Sequence, residues 1–284
     1  MMEPSTGIGF SNSTAGQSKL RSILSGLFVS VLLAAPLHAD WRDSLTPDEA
    51  GTFPAVRPFE AEFRIGWTDI EAARARVKVS DEGGTIRLDA AGATSGLARV
   101  LWQLDASIES ATAREGFRTI YTVMKENYAA RLVMTQIVAR PDGIWRLREN
   151  FPEGENPARW KRLKIAPARD IFSGALFFRS LALAPGESVS AIIFPGDTPF
   201  FVELKVAGTD PLTITGTVRD AIRIELALQK INLKNDFRLE PQGKFRSGTV
   251  WVSNDADRIP LRVELDLFIG YVFAELESIR FPPR

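Results

Sequence analysis

Asn254, Asp255 and Asp257 place three oxygen donors in one tight turn. Calcium is held by such oxygens, but a dedicated loop supplies more ligands in a defined order. A hairpin whose Asn and Asp side chains satisfy the turn backbone accounts for the same residues. Glu60 and Glu62, and again Glu275 and Glu277, set two carboxylates on one strand face. Glycosidases need such a pair at a set separation, whereas alternating charge on a solvated strand needs no catalysis. Arg159, Trp160, Lys161, Arg162 and Lys164 form a basic cluster around a tryptophan. It suits lipid phosphates or an anionic envelope polymer, and a solvated loop would carry the same residues. Phe172, Leu176, Phe177, Phe178 and Arg179 lie in an apolar stretch that would either line a ligand cavity or complete a core.

What the chain omits narrows the chemistry further. It has no cysteine, and its one histidine is His38. Ser18 to Ala39 has the form of a secretory signal: basic Lys19 and Arg21, an apolar run from Ile23 to Ala35, and a small residue at Ala39. Cleavage before Asp40 would remove His38. The mature chain would then lack the side chains of a Ser-His-Asp hydrolase, a thiol enzyme or a zinc site. Ser173 has no histidine to activate it and stands in no recognisable Ser-Lys motif. Neither a metal nor a cofactor is expected, and the chain is read as non-enzymatic. The expected location is the periplasm, reached through a cleavable signal. No cysteine follows the signal, so no lipoprotein anchor is expected. No second run approaches the roughly 20 apolar residues of a membrane span.

Without Glu3, Lys19 and Arg21, 33 basic and 34 acidic residues remain. This balance gives no support for nucleic-acid binding, which shows as a basic excess. The 245 residues after Ala39 are enough to bury a core without disulfides.

The elements that must position these residues are mostly strands. Residues 40–57 carry prolines and acidic residues without a period and read as a flexible lead-in to a domain over 58–284. Phe59, Ala61, Phe63, Ile65 and Trp67 then alternate with polar or small residues, the period of a strand with one buried face. Similar patterns recur at 73–79, 85–91, 117–125, 131–140, 144–148, 189–194, 200–207, 212–218, 221–229, 248–253, 259–269 and 271–281. Asn150 to Pro167 reads as a loop within the domain. The expected fold is all-β: a large curled antiparallel sheet, half-barrel or barrel-like, in a single domain. One convincing helix spans Asp170 to Leu183, with Asp170 as its cap and Pro185-Gly186 beyond its end. It is apolar nearly all round, so it must be buried in or across the mouth of the curl. A weaker helical turn is expected over Ser95 to Leu101.

The stretch from Gly248 to Arg262, GTVWVSNDADRIPLR, resembles the DUF3108 family of exported bacterial proteins of unknown function. That family shows an aromatic strand, a short acidic turn, an Arg-x-Pro lead into the next strand, and a glycine before the last one. Here the glycine is Gly270, and the last strand carries Ala274-Glu275-Leu276. Phe63 to Ile70 resembles the family's opening strand. Asp170 to Arg179, with Leu181 and Pro185-Gly186-Glu187, resembles its central helix and exit. Ala72-Ala73 stands where an alanine-glycine pair is expected. The resemblance spans roughly Pro58 to Phe281 and supplies no catalytic residues. It implies a curved sheet and embedded helix, similar in outline to periplasmic carriers of lipids and lipoproteins.

Two functions lead, with a hydrolase using carboxylates alone ranked third behind them. The first is a periplasmic binding or carrier protein for an apolar or amphiphilic envelope molecule. Its partner would be a lipid, lipoprotein or other envelope component. The second is an assembly factor that binds envelope proteins through sheet edges.

Overall fold

The computed structural model describes residues 40–54, 56–68, 70–152, 157–243, 245 and 247–282. The expected signal over 1–39 lies outside the described residues. The alternating segments form β1 (Phe59–Trp67), β2 (Ile70–Asp81), β3 (Thr85–Thr94), β4 (Leu104–Ala113), β5 (Thr119–Tyr128), β6 (Arg131–Arg140), β7 (Gly143–Phe151) and β8 (Lys161–Leu163). After a helix come β9 (Ser188–Ile193), β10 (Phe200–Ile214), β11 (Thr217–Asn232), β12 (Arg238–Pro241), β13 (Gly248–Ser253), β14 (Pro260–Asp266) and β15 (Tyr271–Arg280). Among the described residues, a single 3-10 turn (Trp41–Ser44) and two α-helices, α1 (Gly96–Leu101) and α2 (Ile171–Ser180), complete the list.

All fifteen strands join one sheet, ordered β8-β7-β6-β5-β4-β3-β2-β1-β15-β14-β13-β11-β10-β9, with β12 beside β11. The ladders between these strands are antiparallel. The pairing of β1 with β15 fuses the two halves, for example at Ala61↔Ile279 and Ile65↔Ala274. A sheet this wide, with one apolar face, curls to bury that face. It remains open between β8 and β9. The segment before α2 spans part of that gap: Arg169 donates its N–H to the carbonyl of Ile192 at 3.0 Å and accepts from Phe194 at 2.7 Å.

The inner face carries the main core, with Ala61, Val79, Leu204, Ile224 and Leu276 among its buried residues. Phe201 lies on the other face of β10 and joins Ile137, Ile144, Ile192 and Ile231 in a second cluster.

Four expectations need correction. Of the lead-in expected to be flexible over 40–57, the described residues 40–54 pack as a strap against the sheet. The Trp41 indole packs edge-on against Phe201 at 5.5 Å and donates to the Phe237 carbonyl at 3.0 Å. Farther on, Ser190 N donates to Thr46 Oγ1 at 2.8 Å, and Gly51 N donates to Ser180 Oγ at 3.0 Å. The break placed at 208–211 is a bulge inside the 15-residue β10, after Val206. Pro211 is tolerated because β9 pairs with β10 only from Phe200 to Lys205. The true turn is Thr215-Gly216, both with positive φ (47° and 77°), as a tight hairpin of the primed type requires. Strand β4 escaped the pattern because its buried inward side chains include Ser110 and Thr112. The expected loop 150–167 contains the short β8.

Helix α2 has the cap its sequence promises: Asp170 Oδ1 accepts from Ser173 N at 2.6 Å. Its buried residues include two serines beside Leu176, Phe177 and Phe178. Ser173 and Ser180 are fully buried, whereas Ile171 is 60 % exposed. The polar residues face a polar wall. Asp170 Oδ2 accepts from Ser110 Oγ of β4 at 2.5 Å and from Thr122 Oγ1 of β5. Asp170 N donates to Thr119 Oγ1 at 2.8 Å. Gly174 allows close approach to the sheet, because a Cβ there would sit 2.4 Å from Ile193 Cδ1. The expected helical turn near Ser95 is α1, which leaves Leu97, Val100 and Leu101 exposed. Among the described residues, no helix is long and apolar enough to cross a membrane.

Candidate ligand-binding cavity

Alternation places one residue in two of each strand on the inner face. Leu204 pairs with Leu226 and Val202 with Leu228 between β10 and β11, and Val250 pairs with Val263 between β13 and β14. Phe59 pairs with Val79 between β1 and β2. These residues do not meet across the curl. They surround a cavity of about 630 Å³ whose remaining wall is α2. Ligand pockets typically enclose about 300–1,000 Å³.

Of thirty described lining residues, only Arg179 and Arg258 have polar side chains. Exposed Ile171, Ala175 and Pro260 lie among the lining residues, so the cavity reaches the surface there. Buried apolar surface that does not pack forfeits dispersion contacts. An apolar cavity of this kind is suited to an apolar guest.

Four of the five predicted lining residues reach the cavity: Phe172, Leu176, Phe178 and Arg179. Phe177 does not, which corrects the sequence reading. Helical spacing puts it with Ser173 and Ser180 on the opposite face. It is 1 % exposed, with the Arg169 guanidinium 3.9 Å from its ring centre. Most of the wall, including Phe63, Val250 and Leu265, was not singled out from sequence. The signal was present in the alternation, but alternation does not tell a filled interior from a hollow one.

The sequence profile of the family described as protein of unknown function, DUF3108, matches residues 62–277. The chain belongs to the DUF3108 family. No curated protein matches it. Among solved structures, this DUF3108 member is similar to a beta-barrel-like protein of domain of unknown function DUF1849 from Brucella abortus. The identity is 6 %, with a TM-score of 0.49, covering 81 % of this chain and 100 % of that one. It is also similar to the lipoprotein LppX from Mycobacterium tuberculosis. The identity is 16 %, with a TM-score of 0.22, covering 79 % of this chain and 88 % of that one.

The other candidate residues of this DUF3108 member lie off the cavity wall. The carboxylate pairs form cross-strand ion pairs: Glu60 with Arg280, Glu62 with Arg76, and Glu277 with Arg74. Buried Glu275 is held between Arg64 and Arg262. The hydrogen bond from Arg280 holds the Glu60 carboxyl below its usual range, and the one from Arg76 does the same for Glu62. A glycosidase general acid needs the opposite shift. Arg159, Trp160, Lys161, Arg162 and Lys164 are exposed on and around edge strand β8, and Arg162 pairs with Asp142 at 3.0 Å.

In the β13–β14 turn, Asp255 Oδ1 accepts from Ser253 Oγ and from the N–H groups of Asp257 and Arg258. Asp257 pairs with Arg57, and Asn254 donates to Asp220 at 2.7 Å. The two aspartates of the turn already serve the protein. EDTA and reductant are therefore expected to leave the melting temperature unchanged. A marked fall with EDTA would instead place a cation at Asn254, Asp255 and Asp257.

Proposed function

We propose that this protein is a periplasmic, non-enzymatic binding or carrier protein, which holds an apolar or amphiphilic cell-envelope molecule in the cavity beside α2. The observation that carries the reading is the cavity itself: about 630 Å³, walled by apolar side chains except at two arginines. A protein that needed only a stable core would fill such a space, because empty volume costs stability. The carboxylate pairs, each engaged by arginine, favour a role without catalysis. The assembly-factor reading draws less support: its free edges would be β10 beyond Lys205, where Pro211 lacks a donor, and β7 beyond Arg146, and neither borders the cavity. Edge strand β8 has three residues, and β9 is bonded by Thr46 and Arg169.

The neutral dye N-phenyl-1-naphthylamine tests the cavity. Its fluorescence is expected to rise on binding the wild type. Ala175→Trp should abolish that rise while leaving unfolding nearly unchanged, because Ala175 is an exposed residue of the cavity wall and its indole can enter without displacing core side chains. Trp160→Ala, away from the cavity, should bind as the wild type does. A folded wild type that gives no rise would remove the basis of the proposal.

A further inference from the structure

An amphiphile in this cavity would need a polar partner for its head, and the wall offers two. Arg179 lies in the last turn of α2, and Arg258 lies in the β13–β14 turn. Both are half-buried. Among the described residues, neither forms a salt bridge. Arg179 donates through Nε to the Asp257 carbonyl at 2.8 Å, through Nη2 to the Ala256 carbonyl at 3.1 Å, and through Nη1 to the Pro54 carbonyl. Arg258 donates through Nη1 to the carbonyls of Arg179 at 2.8 Å and Leu181 at 2.7 Å, and its guanidinium stacks on Phe53.

Desolvated charges are ordinarily paired with an opposite charge. Here two cations share one site and receive only neutral carbonyls. The C-terminal end of α2 supplies about half a negative charge, which offsets about half of one guanidinium. Burial, and then the neighbouring Arg258 charge, lowers the Arg179 pKa, while Asp257 and Asp255 oppose that shift. Burial lowers that of Arg258. The nearest carboxylates are already engaged, Asp257 by Arg57 and Asp255 by the turn's own donors.

Arg258 also has a positive φ of 43°. Glycine or asparagine occupies that region at least cost, so an arginine there is strained. Capping α2 uses only its Nη1. No described residue accepts from its Nε or Nη2.

Resting on the carrier reading, we infer that the guest is a lipid-like amphiphile with an anionic oxyanion head, a carboxylate or a phosphate. Its chain lies in the apolar cavity, and its head accepts from Arg258 and Arg179. A charge-assisted hydrogen bond to arginine is roughly twice as strong as a neutral one and is lost when the head is esterified.

Displacement of N-phenyl-1-naphthylamine tests this with four competitors: palmitate, methyl palmitate, palmitoyl lysophosphatidic acid and inorganic phosphate. The wild type is expected to prefer palmitate, lysophosphatidic acid or both over methyl palmitate by about tenfold or more. The stronger of the two identifies the head, and phosphate alone should not displace the dye. Arg258→Gln should abolish the preference for the acid while leaving methyl palmitate affinity unchanged. A purely structural role would move stability without moving that ratio. If Arg258→Gln does not fold, the wild-type ratio still decides. Equal affinity for palmitate, lysophosphatidic acid and methyl palmitate would overturn the anionic head and leave the carrier reading standing. Absence of dye binding would overturn the carrier reading itself.

Discussion

Phe177→Ala is expected to cost about 3–5 kcal/mol of folding stability, the range for truncating a large buried aromatic side chain. The ring is 1 % exposed, packs on Phe178 with centroids 5.7 Å apart, and supports the Arg169 guanidinium. Truncation would leave a void and remove the aromatic face from a buried cation, whose head is otherwise held by Asp48 and the carbonyls of Gly116 and Phe117. For a chain of this size the melting temperature should fall by about 10 °C. Dye binding by the remaining folded protein should persist, because Phe177 faces away from the cavity. A loss below about 1 kcal/mol in urea unfolding would show that α2 is not packed as described.

Asp170→Ala is expected to cost about 4 kcal/mol, through a different mechanism. The Asp170 carboxylate accepts from Ser110, Thr122, and the Ser173 hydroxyl and N–H. Removing it deletes the N-cap, worth about 1 kcal/mol. It also strands the buried hydroxyls of Ser110 and Thr122, at about 1–3 kcal/mol for each unsatisfied group. Asp170→Asn keeps one acceptor oxygen and should cost less than the alanine. Equal stability of Asp170→Ala and wild type by thermal unfolding would contradict a load shared among four hydrogen bonds. Together the two variants separate the ways α2 is attached: an apolar plug through Phe177 and a polar hook through Asp170.

The hook explains why one strand was invisible in the sequence. Strand β4 presents Ser110 and Thr112 inward, because its neighbour is the carboxylate and serine face of α2 rather than a hydrocarbon core. Hydrophobic alternation marks only strands that face apolar material. The same limit applies to α2, where an apolar circumference correctly required burial but concealed that its serines would be buried as deeply as Phe177. The strap of 40–54 has no period because it forms no extended element beyond a single turn at Trp41–Ser44. It is fixed instead by separate contacts to residues more than a hundred positions away.

The sequence by itself determined the all-β class, the positions of most strands, the capped helix, the family resemblance, and the absence of cysteine and of any histidine beyond His38. These follow from local periodicity, turn chemistry and composition, which act over a few residues. Only the tertiary structure decided that the curl is hollow on one side of α2 and packed on the other. Only it decided that Phe177 leaves the cavity wall, and that Arg179 and Arg258, 79 positions apart, meet at that wall. Alternation fixes which face of a strand is apolar. How far two such faces stand apart depends on sheet curvature and on the depth to which Asp170 draws the helix, and both arise from contacts between residues distant in the chain.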